Sequence, residues 1–109
     1  MSMKLYSMLL MPSLLFTAPL FAQDNISASR QSELTNLLIQ DCGSCHGLKL
    51  KGGLGPALLP TTLAGKSASY LSTVILEGRP GTAMPPWRAL LSPAEAQWMA
   101  NILLQGSAL

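Results

Sequence analysis

The sequence predicts an all-α domain with three main helices and two long loops in the part of the chain after residue 22. Three segments carry apolar residues at the three- and four-residue spacing of one helix face, and no segment alternates apolar and polar residues as a half-buried strand would. The stretches between these segments are rich in glycine and proline, which disfavours regular structure. The chain of 109 residues is therefore expected to form one small helical domain.

The first 22 residues differ in composition from the rest and are predicted to be a signal peptide. Residues 1–4 carry a single positive charge, on Lys4. An apolar run follows over residues 5–21, and a polar stretch begins directly after Ala22. This order is typical of a secretory signal peptide, so we place cleavage after Ala22. An uncleaved membrane anchor is the alternative, but Pro12 and Pro19 interrupt a run that is short of the roughly 20 residues a span needs.

The predicted mature chain, residues 23–109, is small and nearly neutral. It carries six basic and five acidic side chains, a balance that does not indicate a nucleic-acid-binding protein. A domain of this length has difficulty burying enough apolar surface, so it usually needs a disulfide, a metal, a cofactor or a partner. No stable membrane anchor is expected once the leader has been removed.

The first predicted helix covers residues 30–41 and leads directly into a cluster of cysteine and histidine. Ser29 is its expected N-cap. Leu34 and Leu38 fall on one helix face together with the later Cys42. Leu37 falls on the same face, and the helix is expected to run directly into the cluster.

The first long loop and the second helix follow. Residues 47–63 are expected to be irregular, with a short turn of helix near Thr61. The second helix is predicted over residues 66–77, where Ser67 can cap the start and Gly78 can end it.

The second long loop and the last helix complete the chain. Residues 79–88 contain three prolines and are expected to be irregular. Ser92 and Glu95 have the spacing of a capping box, Pro93 suits the first helical position, and Gly106 is the expected end. The side chains expected to face the core from the second and last helices are Tyr70, Leu71, Val74, Ile75, Trp98, Met99, Ile102 and Leu103.

The stretch CGSCH, residues 42–46, holds both cysteines and the only histidine of the chain. Four kinds of site compete for it. Structural zinc needs four ligands, of which only three good ones are present. A thioredoxin-like redox pair normally follows a strand in an α/β fold. A disulfide between Cys42 and Cys45 closes too small a loop to stabilise the fold much, and it leaves His46 unexplained.

The fourth kind of site is covalent attachment of haem, and the spacing favours it. Two thiols separated by two residues can reach the two vinyl groups on one edge of a porphyrin, and the histidine that follows is carried under the iron. Haem would also supply the apolar surface that so small a chain lacks, and its attachment outside the cytoplasm agrees with export. We therefore expect one haem c per chain, linked through Cys42 and Cys45, with His46 as an axial iron ligand.

Met84 is the predicted second axial ligand. Residues 23–109 contain two methionines, and Met99 lies mid-helix on the apolar stripe, where core filling is the simpler role. Met84 lies in MPPW, where prolines stiffen the backbone. Ligation by histidine and methionine fills the coordination sphere, which suits electron transfer rather than substrate chemistry. An iron with an open site would instead suit a small-molecule binder or a peroxidase-like protein.

The helix before CGSCH, the Gly-Pro of GLGPAL, the MPPW loop and a terminal helix with a tryptophan together resemble a class I c-type cytochrome. The resemblance spans residues 23–109 and implies the small helical fold of that family around one haem, in an electron carrier and not an enzyme. It also implies a hydrogen bond from the Nδ1 of His46 to the carbonyl of Pro56, which fixes the ring. In that family the first helix crosses the last helix at a glycine and an aromatic residue. This chain departs from the pattern, because it has Leu34 and Leu38 at those two positions.

Residues 30–60 and 78–87 are further similar to the small monohaem cytochromes of the c55X type, which are encoded beside cytochrome cd1 nitrite reductase in denitrifying bacteria. This similarity implies a periplasmic protein of the denitrification system that donates electrons to that reductase. The alternative it leaves open is an accessory protein that assists in making haem d1 or inserting it into the reductase. In both cases the expected partners are redox or assembly proteins.

Basic and aromatic residues near the expected haem site have open roles. One hypothesis is a basic collar that steers an acidic partner, and the alternative is an ordinary solvated loop surface. The residues concerned are Lys49, Lys51, Lys66, Arg79 and Arg88. Arg79, Trp87 and Arg88 are candidate donors to the haem propionates, since half-buried carboxylates need hydrogen-bond partners.

Overall fold

Helices and loops make up all of the chain that the computed structural model describes, which is residues 25–109. No strand occurs in this range, so the predicted all-α class is confirmed. The predicted signal peptide, residues 1–22, lies outside the described residues. The helical elements are α1 (Ala28–Leu37), a π-helical turn (Leu38–Cys42), α2 (Gly43–His46), α3 (Pro60–Leu63), α4 (Ala68–Glu77) and α5 (Pro93–Gln105).

Helix α1 begins two residues earlier than the sequence pattern predicts. Its N-cap is Ser27, whose hydroxyl accepts a hydrogen bond from the backbone N–H of Arg30 at 3.2 Å. The prediction of Ser29 as the cap is therefore wrong, because Ser29 lies inside the first turn. At its other end the helix continues through the π-helical turn into α2, so Cys42 and His46 stand on one helical path from α1.

The predicted caps of α4 and α5 are confirmed, although α4 begins at Ala68, two residues after the predicted start. Ser67 caps α4 by accepting from the N–H of Tyr70 at 3.0 Å, and Gly78 ends it. Ser92 and Glu95 form the reciprocal capping box of α5, with distances of 3.2 Å from the Glu95 N–H to the Ser92 hydroxyl and 2.8 Å from the Ser92 N–H to the Glu95 carboxylate. The short helical turn expected near Thr61 is α3.

The core lies where α5 packs against α4 and α1. Leu34 of α1 and Leu38 at the start of the π-helical turn are 0% and 1% exposed, so both leucines at the family's glycine and aromatic places are fully buried. The side chains with no exposure on α5 include the small Ala96 and Ala100, which belong to the same core cluster as the two leucines. Met99 is also fully buried, as expected of a core residue.

Tyr70 is not a core residue, so this expectation is wrong. It is 45% exposed, and its phenol oxygen accepts a hydrogen bond from the Nη2 of Arg79 at 3.2 Å. The buried stripe of α4 runs through Leu71 and Ile75, and Tyr70 stands beside it. A phenol hydroxyl keeps a polar partner most easily at such an edge.

An ion pair joins the start of α1 to the start of α5. The Nε of Arg30 donates to Glu95 at 2.6 Å, and its Nη1 donates to Glu33 at 2.9 Å. The hydrogen bond from Arg30, together with the N–H of Ser92, holds the pKa of Glu95 below its usual value. No helix among residues 25–109 is long and apolar enough to cross a bilayer.

Candidate functional site

A cavity of about 600 Å³ is bounded by the turn that carries the cysteines, by α4 and by the two long loops. Most of its wall is apolar, with Leu38, Leu71 and Leu103 contributed by three different helices. The residues singled out from the sequence as haem ligands and attachment points all line this one cavity: Cys42, Cys45, His46 and Met84. The fold therefore brings together side chains that are far apart in sequence.

The two cysteines stand on consecutive helical turns, Cys42 at the end of the π-helical turn and Cys45 in α2. Cys42 is half-buried and Cys45 is exposed. Burial, with the nearby charge of Asp41, raises the pKa of the Cys42 thiol to about 11. Thioredoxin-like pairs work through a cysteine of lowered pKa, so the raised value argues against that interpretation of the motif.

The imidazole of His46 is oriented by the loop that follows it. Its Nδ1 lies 2.7 Å from the carbonyl oxygen of Pro56. Because a carbonyl can only accept, Nδ1 carries the proton in this contact, and the lone pair of the neutral ring is left on Nε2 for a metal. This is the arrangement of Nδ1 and carbonyl that the resemblance to c-type cytochromes implies.

Gly55 also helps to position the His46 imidazole, a role that sequence reasoning did not assign. A Cβ at this position would lie 2.7 Å from the Cε1 and 2.8 Å from the Nδ1 of His46, well inside van der Waals contact. The loop backbone is also tied to α2, since the N–H of Gly52 donates to the His46 carbonyl at 2.7 Å and that of Gly55 to the Cys45 carbonyl at 2.8 Å. The glycine directly before Pro56 was the available signal.

Met84 reaches the cavity from the second long loop. Its side chain is half-buried, and the backbone on either side is tied to α4 and its end. The carbonyl of Met84 accepts from the N–H of Arg79 at 3.1 Å, and the N–H of Trp87 donates to the carbonyl of Ile75 at 3.1 Å. Met84 is thus presented to the cavity by a loop whose two ends both rest on the last turn of α4.

Two of the three candidate propionate donors line the cavity, and the third does not. Arg79 and Trp87 line the cavity, and so does Lys66. Arg88 forms an ion pair with Glu77 and is absent from the cavity wall. Its candidacy is therefore not supported, because its guanidinium already has an anionic partner.

The donor set fits a haem c. The cavity offers two thiols on neighbouring turns, an imidazole with a free Nε2, a thioether, an apolar lining and two cations. Thiols, imidazole and thioether are the groups that attach and ligate the iron porphyrin in c-type cytochromes. These features define a small c-type cytochrome.

The comparisons with known proteins agree with this class. The family profile described as cytochrome c oxidase, cbb3-type, subunit III matches residues 29–101. Cytochrome c55X of Pseudomonas aeruginosa is 51% identical over 96 residues, which cover 86% of this chain and 81% of that protein. The solved structure of the c-type cytochrome NirC is 54% identical with a TM-score of 0.73, over 75% of this chain and 96% of that one. The chain belongs to the class I c-type cytochromes, in the cytochrome c55X family.

A further similarity concerns one part of a longer protein. The dihydro-heme d1 dehydrogenase of Pseudomonas aeruginosa is 39% identical over 66 residues, which are 61% of this chain but only 13% of that enzyme. The shared part therefore has the size of a small cytochrome domain within that larger chain. By its family, the present protein is an electron carrier rather than an enzyme, and haem is its cofactor.

Proposed function

We propose that this protein carries one haem c per chain, covalently attached through Cys42 and Cys45, and passes single electrons between partner proteins in the periplasm. The observation that carries the proposal is the convergence of both thiols, His46 and Met84 on one apolar cavity. When bound, the haem supplies the one-electron iron couple. The chain supplies the attachment, the two axial ligands and the exclusion of water.

Each residue has a defined task in this proposal. Cys42 and Cys45 hold the porphyrin edge at the end of a helical path that is packed in the core through α1. His46 offers Nε2 to the iron, while the carbonyl of Pro56 holds the Nδ1 proton and makes the ring a stronger donor. Met84 would supply the second ligand to the iron, which would keep small molecules off it.

The cations on the cavity wall are assigned to the haem propionates. Lys66 and Arg79 stand on a wall that is otherwise mainly apolar, and Tyr70 orients Arg79 through its phenol oxygen. A half-buried carboxylate is costly without a charged or hydrogen-bonding partner, and these side chains are available as partners. Trp87 also lines the cavity.

The proposed place of action is the denitrification system, with cytochrome cd1 nitrite reductase as the electron acceptor. Support comes from the identity with cytochrome c55X over most of both chains. Export rests on the predicted signal peptide, with cleavage after Ala22 to release residues 23–109.

An accessory role in haem d1 biosynthesis, or in insertion of haem d1 into the reductase, is the second candidate. The observation that favours it is the similarity to a segment of the dihydro-heme d1 dehydrogenase. The two functions differ in their consequence for the reductase. A strain that lacks only the electron donor makes reductase complete in haem d1, whereas a strain that lacks an assembly factor makes reductase without it.

The test of the cofactor is a pyridine haemochrome spectrum together with an intact mass of protein purified from the periplasm. We expect the mass of residues 23–109 increased by one haem, and the spectrum of a porphyrin with both vinyl groups saturated. A Cys42→Ala, Cys45→Ala double variant is the matched control, since it keeps both axial ligands but offers no thiol. Colourless wild-type protein of unmodified mass would overturn the proposal.

A further inference from the structure

The loop of residues 79–88, which we name the Met84 strap, binds both polar groups of the Met84 backbone, one of them through a hydroxyl group. The Oγ1 of Thr82 donates to the carbonyl of Arg79 at 2.7 Å and accepts from the N–H of Met84 at 3.3 Å. The carbonyl of Met84 in turn accepts from the N–H of Arg79 at 3.1 Å. Both polar groups of the Met84 backbone are therefore bound within the strap, and Thr82 joins its two arms.

The packing of Thr82 adds nothing that would explain this arrangement. The residue is exposed, and although it lines the cavity, its side chain fills no space in the core. Removing its hydroxyl takes away two hydrogen bonds and leaves no cavity. Because Thr82 also lines the cavity, its substitution could act there directly, so the readout must report the ligation by Met84 itself.

Gly78 fixes the strap from the opposite side. A Cβ here would lie 2.6 Å from the carbonyl carbon of Pro85 and 2.7 Å from the carbonyl oxygen of Met84. These are backbone atoms, which cannot rotate aside as the tip of a side chain can, and Pro85 and Pro86 make the backbone stiff. The end of α4 thus rests directly on the peptide that follows Met84.

The C-terminal end of the strap is anchored independently of these two residues, and its other end continues directly from α4. The N–H groups of Trp87 and Arg88 donate to the carbonyls of Ile75 and Leu76 at 3.1 and 3.3 Å. Arg88 also pairs with Glu77. A change at Thr82 therefore loosens the middle of the strap while its ends stay attached.

From this geometry we propose that Thr82 and Gly78 are positioning residues that keep the Met84 thioether at the iron, against exchange for other ligands. The inference rests on the proposed function, because it requires a haem in the cavity with Met84 as its axial ligand. Neither residue contacts the iron; both act through the backbone of Met84.

The test compares Thr82→Val with Thr82→Ser in the purified ferric protein. Imidazole is titrated against the haem absorption, and the weak long-wavelength band of methionine-ligated ferric haem is recorded. Valine keeps the shape but removes the hydroxyl, so we expect imidazole to bind about tenfold more tightly, the fold-change that a lost hydrogen bond in this range gives. Serine keeps both hydrogen bonds and is expected to stay within about threefold of wild type.

Gly78→Ala and Gly65→Ala form the second matched pair. Gly78 and Gly65 both have positive φ, +66° and +81°, but a Cβ at Gly65 would meet nothing within 4 Å. Both variants bear the backbone cost of alanine at positive φ, whereas only Gly78→Ala pushes the strap. We expect tighter imidazole binding and a weakened long-wavelength band in Gly78→Ala alone. If Gly78→Ala does not fold, the Thr82 pair decides.

The variant Met84→Ala separates the two levels of the argument. It should abolish the long-wavelength band and bind imidazole more tightly than any strap variant. If it leaves both unchanged, Met84 is not the ligand, and the proposed ligation and this inference fail together. If Met84→Ala behaves as expected while Thr82→Val matches wild type, or while valine and serine act alike, only the positioning inference is overturned.

Discussion

Gly55→Ala tests most directly how the loop positions the ring of His46. The added Cβ would lie 2.7 Å from the Cε1 of the ring, about 0.7 Å short of ordinary van der Waals contact near 3.4 Å. If the ring moves away from Pro56 by that amount, the 2.7 Å hydrogen bond from Nδ1 stretches to about 3.4 Å, outside the normal range. Gly55 has no positive φ, so the substitution adds bulk without backbone strain.

The expected consequence is a higher reduction potential. The carbonyl of Pro56 makes His46 a stronger donor, which favours ferric over ferrous iron, so losing the bond favours the ferrous state. A net hydrogen bond is worth about 1 kcal/mol. Since 1.4 kcal/mol corresponds to about 59 mV for one electron, the potential should rise by at most about 40 mV.

Cyclic voltammetry of wild type, Gly55→Ala and Gly65→Ala measures this shift. Gly65→Ala is the control, because its Cβ would meet nothing within 4 Å and the residue is absent from the cavity wall. A Gly55→Ala potential equal to that of wild type would show that the loop, and not the imidazole, absorbs the added carbon. The assignment of Gly55 to the positioning of His46 would then be wrong.

Three further predictions concern charge. Glu95→Gln should reduce the loss of stability at acid pH. Because the pKa of Glu95 is lowered in the folded protein, its carboxylate stabilises the fold above its unfolded pKa, and this contribution is lost as pH falls through the folded pKa. Thermal melts between about pH 7 and 3 measure the difference. Arg79→Gln should lower the reduction potential, because removing a cation from the cavity wall favours the ferric iron, while Arg88→Gln, away from the wall, should leave the potential unchanged. If Lys49 and Lys51 steer an acidic partner, electron transfer should slow as salt rises and a double glutamine variant should lose that dependence; a flat wild-type response would leave them ordinary surface residues.

Local chemistry explains why the ends of α4 and α5 could be predicted from the sequence. Ser67, Ser92 and Glu95 bond to backbone groups three residues away, so the signal and the structure occupy the same short segment. Ser27 and Ser29 are both eligible caps for α1, however, and the pattern alone does not choose between them. The prediction that Tyr70 faces the core was wrong for a related reason, since its place beside the buried stripe depends on how α4 is rotated against the rest of the fold.

The residues of the candidate site also fall into two groups, those that local sequence predicts and those that depend on packing. Cys42, Cys45 and His46 are adjacent in sequence, so their joint position on one helical path follows from the motif. The contacts that hold the ligands do not, because the closeness of Gly78 to the peptide after Met84 arises from tertiary packing between backbone atoms. Single residue types carry no mark of such an approach, and only the glycine itself hints at it.

The two predicted iron ligands are supported unequally by the fold, and this inequality says where the site will open. His46 ends a helical path whose earlier part includes Leu34 and Leu38, both essentially unexposed, and its ring is bound to Pro56. Met84 sits in a strap whose residues are mostly exposed and whose shape depends on hydrogen bonds near the solvent. Segments with few buried contacts and exposed hydrogen bonds open at lower free energy than the core. Ligand exchange should therefore begin on the Met84 side, where the chain uses the Thr82 hydroxyl and the Gly78 contact in place of a core.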